Sequence, residues 1–353
     1  MIGILTFVGT QSQGACLQAY ALKKKIEGLG YETELINYEC PAIRTQWTDK
    51  KPSSAKSLKR FVGSCIRYPV ILRRHSKFRN FETSYLNIHN YAFGIDYGKY
   101  EKIIVGSDQV WNLAITGNDF TYFLNELDDN TKKYSYAASL GVETFPIEYE
   151  NECLDYIEKF SVVNVREKQL KKYLSNKVIN KSINVVLDPT LLLSAEEWGK
   201  FIYKESPYKH KYMLVHYPVD TTESWNKIRS IAREKGMEIV FITNRVKSSK
   251  ECHSRYAVSP IEYINYIKYA DMVITGSFHT LCFSLVFNKD VYCTDSMIVE
   301  RNSRLANLLD LTGCQNRKLA MYPADPINFQ DVNDRIHTEK TYSTEILKEI
   351  CSH

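Results

Sequence analysis

The chain has 353 residues, which excludes a single small module and, at about one domain per 150 residues, predicts two domains. Hydrophobic residues make up 44% of it and charged residues 25%, which excludes disordered, collagenous and coiled-coil classes. The formal net charge of +5 is too small for a dedicated nucleic-acid binder unless the basic residues are concentrated in one place.

Cysteine use and the apolar runs favour a cytoplasmic protein. The nine cysteines form no Cys-x-x-Cys pair and no zinc-spaced cluster with histidine, so we expect reduced thiols and no metal centre. The N-terminus begins with a strand-like run and lacks the pattern of a secretory signal. The most apolar stretch, 281–287, is far shorter than the ~20 residues that span a bilayer, so any membrane contact is expected to be peripheral.

The first half of the chain alternates strands and helices. Residues 2–8 form an apolar run that ends at Gly9, residues 15–29 carry apolar side chains at helical spacing, and residues 34–38 form a second strand. This order predicts a βαβ unit with a parallel sheet. Further strands are predicted at 102–105, 133–138, 161–165 and 183–187, so the first half is expected to be a doubly wound α/β domain.

The second half repeats this alternation with strands predicted at 212–217, 238–243, 272–275 and 291–294 and with helices between them. We therefore predict an N-terminal Rossmann-like domain over residues 1–180 and a C-terminal Rossmann-like domain over residues 181–330. The final segment, 331–353, is expected to form a helix that packs back on the N-terminal domain.

Residues 50–79 contain ten basic residues and no acidic one. Leu58, Phe61, Val62, Cys65 and Ile66 fall at the spacing of one helical face, so we predict a basic helical insertion over 50–80 in the first domain. Such a helix can lie on an anionic membrane or accept a pyrophosphate-bearing substrate. The alternative is a solvated basic helix packed on its own domain, because a charge run alone is unspecific.

Ligands of doubly wound sheets bind beyond the carboxyl ends of the strands. The loop 9–14 after the first strand lacks both the dinucleotide fingerprint and the P-loop lysine, so it is either a substrate loop or a glycine-containing turn. The turn 106–112 gathers a carboxylate, two amides, a hydroxyl and an indole, the groups that bind sugars. Alternatively, Ser107 and Asp108 only cap the next helix.

Four further residues are candidates because they carry a charge or an imidazole beside a predicted strand or helix. Arg166 follows the strand 161–165 and is a candidate for binding phosphate or carboxylate, with an internal salt bridge as the alternative. His279 lies between a strand and a helix beside two hydroxyl residues, which favours an acid or base role over a structural one. Arg301 and Arg304 stand at the predicted start of a later helix.

Together these segments resemble the polysaccharide pyruvyl transferase family, specifically its bacterial capsule and exopolysaccharide branch. The resemblance rests on the order and spacing of segments 14–22, 106–112, 136–141, 165–167, 187–190, 270–280 and 302–305, and it covers nearly the whole chain. It implies two Rossmann-like domains that face a cleft, as in GT-B glycosyltransferases. It also implies a transferase that forms a pyruvate ketal on two hydroxyls of one sugar. We expect a cytoplasmic protein, and the basic run 50–79 would allow it a peripheral contact with the inner face of the membrane if its acceptor is linked to a lipid.

The resemblance implies that phosphoenolpyruvate is the co-substrate, and from the chemistry of the reaction we expect that neither a cofactor nor a metal is needed. The family's donor site includes a histidine and an arginine that His279 and Arg166 match, and we add Ser277 and Phe278 to this site. Some members carry an arginine at the position of Ser277, so Arg301 and Arg304 are candidates for supplying that charge. The acceptor contacts are expected to be Gln13, Gly14, Gln18, Ser107, Asp108, Gln109, Trp111 and Asn112.

The proposed reaction explains these residue types. Protonating the methylene of phosphoenolpyruvate needs an acid, for which we choose His279, and ring closure by a second hydroxyl needs a base, for which we choose Asp108. The acceptor is expected to be a galactose-type sugar or an oligosaccharide linked to undecaprenyl pyrophosphate. The rival interpretations are a nucleotide-sugar glycosyltransferase and a non-catalytic carbohydrate-binding subunit. A nucleic-acid partner is not expected, because no nucleic-acid-binding module is recognisable.

Overall fold

The computed structural model describes residues 1–48, 58–179, 181–243, 251–294 and 299–352. The chain forms two compact units. The first comprises Met1–Tyr68, Phe78–Leu192 and Glu339–His353, and the second comprises Pro69–Lys77 and Leu193–Thr338. Among the described residues, no helix combines the length and hydropathy needed to cross a membrane.

The elements that begin within the first unit are β1 (Ile2–Leu5), α1 (Gln13–Gly28), β2 (Thr33–Leu35), α2 (Pro41–Thr48), α3 (Leu58–Phe81), β3 (Lys102–Val105), α4 (Leu113–Thr116), β4 (Lys133–Ser135), α5 (Glu150–Glu158), β5 (Val163–Val165), α6 (Lys168–Ser175) and β6 (Ile183–Val185). Strands β2, β1, β3 and β4 pair in that order, and all are parallel. The parallel pair β5–β6 extends this arrangement through bridges from Tyr134 to Val162 and from Ala138 to Val165. Strand β1 is fully buried, as expected for a parallel strand covered on both faces.

The second unit contains β7 (Tyr212–His216), α7 (Thr222–Glu234), β8 (Glu238–Ile242), β9 (His253–Arg255), α8 (Pro260–Lys268), β10 (Met272–Thr275), α9 (Phe278–Val286), β11 (Asp290–Cys293) and α10 (Val299–Leu311). Helix α11 (Phe329–Ser352) begins in this unit and ends in the first. The five strands form one parallel sheet in the order β11-β10-β7-β8-β9. Both units are therefore α/β and doubly wound, which confirms the predicted fold class.

Each sheet has one place where the direction of winding reverses, which we call its switch point. In the first unit the chain passes from β1 to β2 on one side and then returns to β3 on the other, so the switch point lies between β1 and β3. In the second unit the same reversal places it between β7 and β10. Ligands of open α/β sheets bind at the carboxyl ends of the strands that flank such a point.

The unit boundaries differ from those expected from sequence. The first unit extends to Leu192 instead of ending at residue 180, because β6 pairs with β5. The predicted insertion 50–80 is divided, since Pro69–Lys77 of helix α3 belongs to the second unit. Helix α11 starts at Phe329, and near its middle the Ser343 hydroxyl accepts a hydrogen bond from the Leu187 N–H (2.9 Å), within the first unit.

Candidate active site

The first switch point is formed by the turn that follows β3. Gly106 has a φ of +114°, and a Cβ at this position would lie 2.4 Å from the carbonyl oxygen of Tyr136, so only glycine fits without a shift. Asp108 also has a positive φ, of 79°. The Thr6 hydroxyl donates to the Ser107 carbonyl (2.8 Å), which ties the turn to the end of β1. The predicted turn 106–112 therefore lies at the switch point.

Arg166 lies beside this turn among three carboxylates. Its Nη1 donates to Oδ2 of Asp188 (2.8 Å), its Nε donates to Oε1 of Glu167 (3.2 Å), and its Nη2 lies 3.9 Å from Oδ1 of Asp108. Ser107 Oγ also donates to Oδ2 of Asp188 (3.2 Å). The Arg166 side chain is 2% exposed, so the guanidinium is enclosed by these partners.

These contacts are the internal salt bridges that the sequence analysis gave as the alternative to ligand binding by Arg166. Burial by itself lowers the pKa of Arg166, but Glu167, Asp188 and Asp108 together raise that pKa above its ordinary value. One positive charge stands against three carboxylates, which is an unfavourable setting for a phosphate or a further carboxylate. The role of Arg166 in binding phosphoenolpyruvate stays a prediction, and the contacts observed here favour a role in holding the turn.

The surroundings of Trp111 contradict the expectation that this residue contacts the acceptor sugar. Its side chain is fully buried, its ring stacks on Phe123 (5.9 Å between centroids), and it meets Phe160 edge-on. Its Nε1 donates to the carbonyl oxygen of Tyr122 (3.1 Å). The indole is therefore part of the hydrophobic core of the first unit, and neither ring face is available to a sugar.

Of the other predicted acceptor residues, Gln109 alone is partly exposed, and the rest, including the fully buried Ser107, are buried. Gln18 is fully buried on α1, where its Nε2 donates to the Thr6 hydroxyl (2.9 Å), so it supports the turn from behind. Gln13 and Gly14 are buried at the start of α1, which follows β1 at the same switch point. Asn112 caps α4 and its Nδ2 donates to Oε1 of Gln109 (3.1 Å). Gln109 is half-buried and Asp108 is 7% exposed.

The second switch point contains the turn between β10 and α9, which carries Ser277, Phe278 and His279. A Cβ at Gly276 would lie 2.4 Å from the Tyr217 carbonyl oxygen, so the backbones approach closely here. Ser277 is the N-cap of α9, and its side chain accepts from the Thr280 N–H. His279 lies in the first turn of α9 and is 9% exposed, with the half-buried Phe278 ring 5.4 Å away.

A second histidine, not singled out from the sequence, ends strand β7 at this switch point. Nδ1 of His216 shares a hydrogen bond with Thr280 Oγ1 (2.7 Å), and the same oxygen shares one with the Tyr263 hydroxyl (2.8 Å). Burial, with a smaller contribution from Arg74, lowers the pKa of His216 from its ordinary 6.5 to about 3. The available sequence signal was its position, directly at the carboxyl end of a buried strand.

The arginines proposed to supply positive charge in the second unit are only partly described. Arg304 is half-buried on α10, whereas the side chain of Arg301 lies outside the described residues. Arg74, from the segment of α3 that belongs to the second unit, is buried within electrostatic reach of His216. Arg74 is therefore an additional candidate that the sequence analysis assigned to the basic run.

Of the other residues of that basic run, two form ion pairs within the protein and two are exposed. Nζ of Lys77 donates to both carboxylate oxygens of Glu262 (2.6 Å each), and Nη1 of Arg79 donates to Oε2 of Glu82 (3.1 Å). Arg67 and Arg73 are exposed. Lys50, Lys51 and Lys56 lie outside the described residues, as do the side chains of Lys59 and Arg60.

Comparison with known proteins identifies the family. The sequence model of the family described as polysaccharide pyruvyl transferase matches residues 14–296. The chain belongs to this family. The match spans both units and includes the turns at both switch points, so the predicted membership of the polysaccharide pyruvyl transferases is confirmed. No match was found among curated proteins.

Solved structures similar to this chain include two sugar-nucleotide epimerases. The UDP-GlcNAc 2-epimerase of Neisseria meningitidis, bound to UDP-GlcNAc, is 10% identical over 99% of both chains, with a TM-score of 0.50. The UDP-GlcNAc 2-epimerase of Methanocaldococcus jannaschii, in complex with UDP-GlcNAc and UDP, is 11% identical over 97% of this chain and 99% of that chain, with a TM-score of 0.46. At 10% identity, the likeness to the Neisseria meningitidis enzyme shows the fold alone, and it agrees with the predicted α/β fold class.

Proposed function

We propose that this polysaccharide pyruvyl transferase uses phosphoenolpyruvate as its donor and forms a pyruvate ketal on two hydroxyls of one sugar residue. The observation that carries the proposal is the turn between β10 and α9, where His279 stands in the first turn of a capped helix at a switch point. This turn offers an imidazole, the Ser277 hydroxyl and the positive end of a helix dipole to an anionic ligand.

The donor chemistry assigns one proton transfer to His279. Its imidazolium gives a proton to the methylene carbon of phosphoenolpyruvate, which becomes a methyl group, while C2 becomes an oxocarbenium-like centre. One sugar hydroxyl then bonds to C2 and gives its proton to the now neutral His279 imidazole, which regains its imidazolium form. Charge on the phosphate and carboxylate would be balanced by Arg74 and by Arg301 or Arg304, together with the start of α9.

Asp108 is the base that we propose for ring closure. When inorganic phosphate leaves C2 with its bridging oxygen, the second hydroxyl of the same sugar bonds to C2 and gives its proton to the Asp108 carboxylate. Asp108 is held by its own turn, because the Gln109 N–H donates to Asp108 Oδ1 (2.8 Å) and Arg166 lies 3.9 Å from the same oxygen. The sum of the steps converts phosphoenolpyruvate and a diol into a ketal and phosphate.

For the acceptor, we propose a galactose-type sugar in a capsular or exopolysaccharide precursor that is linked to a lipid pyrophosphate. Support comes from helix α3, where Val62 (51% exposed) and Cys65 lie one helical turn apart and are both exposed. Arg67 and Arg73 are also exposed on this helix. An apolar side with exposed arginines fits a peripheral contact with an anionic inner membrane leaflet.

The decisive experiment measures phosphate release from phosphoenolpyruvate by the purified protein, with and without a synthetic galactose-type acceptor or a lipid-linked oligosaccharide. We expect acceptor-dependent release in the wild type and a loss of about 10²- to 10⁴-fold in His279→Ala, as is typical when a general acid is removed. His210→Ala is the matched control, because His210 is also in the second unit but its side chain is 68% exposed.

Two outcomes would contradict the proposal. Turnover of a nucleotide sugar without use of phosphoenolpyruvate would identify a glycosyltransferase. Sugar binding that is unchanged in His279→Ala, with no turnover of either donor by the wild type, would identify a carbohydrate-binding subunit.

A further inference from the structure

A chain of hydrogen bonds joins three buried side chains behind His279 in the second unit. His216 at the end of β7, Tyr263 on α8 and Thr280 on α9 come from three elements, and each is at most 5% exposed. Thr280 Oγ1 is at the centre, 2.7 Å from His216 Nδ1 and 2.8 Å from the Tyr263 hydroxyl oxygen. The Thr280 hydroxyl is therefore fixed from two sides in a water-poor environment.

The same histidine also holds the strand end that precedes His279. The backbone oxygen of His216 accepts from Thr275 Oγ1 (2.8 Å) and from the Gly276 N–H (3.2 Å). Thr275 Oγ1 in turn accepts from the Ser277 N–H (2.9 Å). His216 thus contacts the β10–α9 turn before His279 through its backbone and directly after His279 through its side chain.

The imidazole of His216 is suited to a fixed, neutral role. Its ring lies between aromatic neighbours, with centroids 4.6 Å from Tyr217 and 5.3 Å from Tyr263. Burial and the nearby Arg74 lower its pKa to about 3, so it stays uncharged at neutral pH. A neutral ring keeps one hydrogen-bonding nitrogen on Thr280 and adds no charge beside the donor's phosphate.

We propose that His216 and Tyr263 are positioning residues that fix the Thr280 hydroxyl and thereby set the orientation of His279. This inference rests on the proposed function, in which His279 is the acid. Because Thr280 directly follows His279 in the first turn of α9, a rotation of this turn moves the imidazole relative to the donor's methylene carbon. Displacing a catalytic group by about 1 Å costs about 10²-fold in rate.

The kinetic test compares two substitutions of Thr280. Thr280→Val keeps the branched shape and removes the hydroxyl, so we expect kcat to fall by about 10- to 100-fold while KM for phosphoenolpyruvate changes by less than about threefold. Thr280→Ser keeps the hydroxyl and is expected to retain kcat within about threefold of the wild type. Tyr263→Phe removes the hydrogen bond between the Tyr263 hydroxyl and Thr280 and keeps the ring. It replaces Thr280→Val in this test if that variant does not fold.

Two substitutions of His216, one that keeps a polar group near Nδ1 and one that does not, test its role in the same way. Asn places an amide group close to the position of Nδ1, whereas Leu fills similar space without a polar atom. We expect His216→Asn to retain most of kcat and His216→Leu to lose it. An equal loss in both variants, or a loss that appears only in KM, would overturn the positioning role.

A spectroscopic readout separates this inference from the proposed function. In protein labelled with ¹⁵N-histidine and free of substrate, the His279 imidazole signals are assigned by their disappearance in His279→Ala. We expect Thr280→Val and His216→Leu to shift these signals and Thr280→Ser to leave them unchanged. If the protein does not turn over phosphoenolpyruvate, the proposed function fails, but the His279 signals still test the positioning role. Unchanged His279 signals in Thr280→Val would refute that role.

Discussion

The two switch points occupy corresponding places in two sheets of the same kind, yet their side chains are held in different ways. At the first, one guanidinium, Arg166, is enclosed by three carboxylates. At the second, His216, Thr280 and Tyr263 are joined by hydrogen bonds between groups that are neutral at neutral pH. The three carboxylates of the first cluster depend on one cation and would repel an anionic substrate, whereas the neutral hydrogen-bonded side chains of the second would not. The difference favours the second switch point for the donor.

The largest expected effect comes from breaking the charged cluster. Arg166→Met leaves the carboxylates of Asp108, Glu167 and Asp188 without their cation, so we expect the free energy of unfolding to fall by about 3–5 kcal/mol. Urea denaturation followed by circular dichroism measures this change. Lys171→Met is the matched control, since Lys171 is exposed in the same unit, and it should change stability by less than about 0.5 kcal/mol.

Arg166→Lys separates the effect of the charge from that of the guanidinium geometry. It keeps the positive charge but loses the planar group that reaches two carboxylates. We expect its stability to lie between those of the wild type and Arg166→Met. A loss below about 1 kcal/mol in Arg166→Met, together with loss of phosphoenolpyruvate binding, would contradict the structural assignment and favour Arg166 as a donor ligand.

The second prediction concerns the hydrogen-bonded side chains of the second switch point and how the stability of the protein depends on pH. Because the pKa of His216 falls from 6.5 to about 3 on folding, the unfolded chain binds a proton at this residue between these pH values and the folded chain does not. The stability that this group contributes is fully present above pH 6.5 and falls by about 1.4 kcal/mol per pH unit as the pH drops toward 3.

His216→Asn removes this titration, so the stability difference between wild type and variant should shrink as the pH is lowered from 7 to 5. Urea unfolding at pH 7, 6 and 5 measures the difference. His210→Asn is the control for the loss of an exposed histidine in the same unit. Parallel pH profiles for wild type and His216→Asn would show that folding does not lower the pKa of His216.

The sequence predicted the sheets well because parallel strands buried on both faces appear as short apolar runs. It also predicted that Asp108, Arg166 and His279 follow strands, since the carboxyl ends of strands are recognisable from the polar turn that comes next. The orientation of Trp111 was not predictable. A tryptophan next to a polar turn has the same sequence pattern whether its ring faces a ligand or packs on Phe123 and Phe160 in the core.

The contacts missed from the sequence are those made between distant segments. His216 contacts Thr280 across 64 positions, so neither residue shows by itself that the two form a pair. The division of helix α3 was missed for the same reason. Its basic residues read as one run, but Lys77 pairs with Glu262 in the second unit and Arg79 pairs with Glu82 in the first.

The smallest expected effect separates neighbouring arginines on that helix. Arg73 is exposed and Arg74 is buried, so only Arg73 is free to meet a lipid surface. Because an arginine near an anionic leaflet contributes about 1 kcal/mol, Arg73→Gln and Arg67→Gln should each weaken binding to vesicles rich in phosphatidylglycerol by about fivefold. Sedimentation of the protein with these vesicles measures the change, and Lys209→Gln, an exposed lysine of the second unit, is the control. Equal weakening by all three would indicate a diffuse attraction between charges, and no binding to anionic vesicles would confine the protein to acceptors presented away from the membrane.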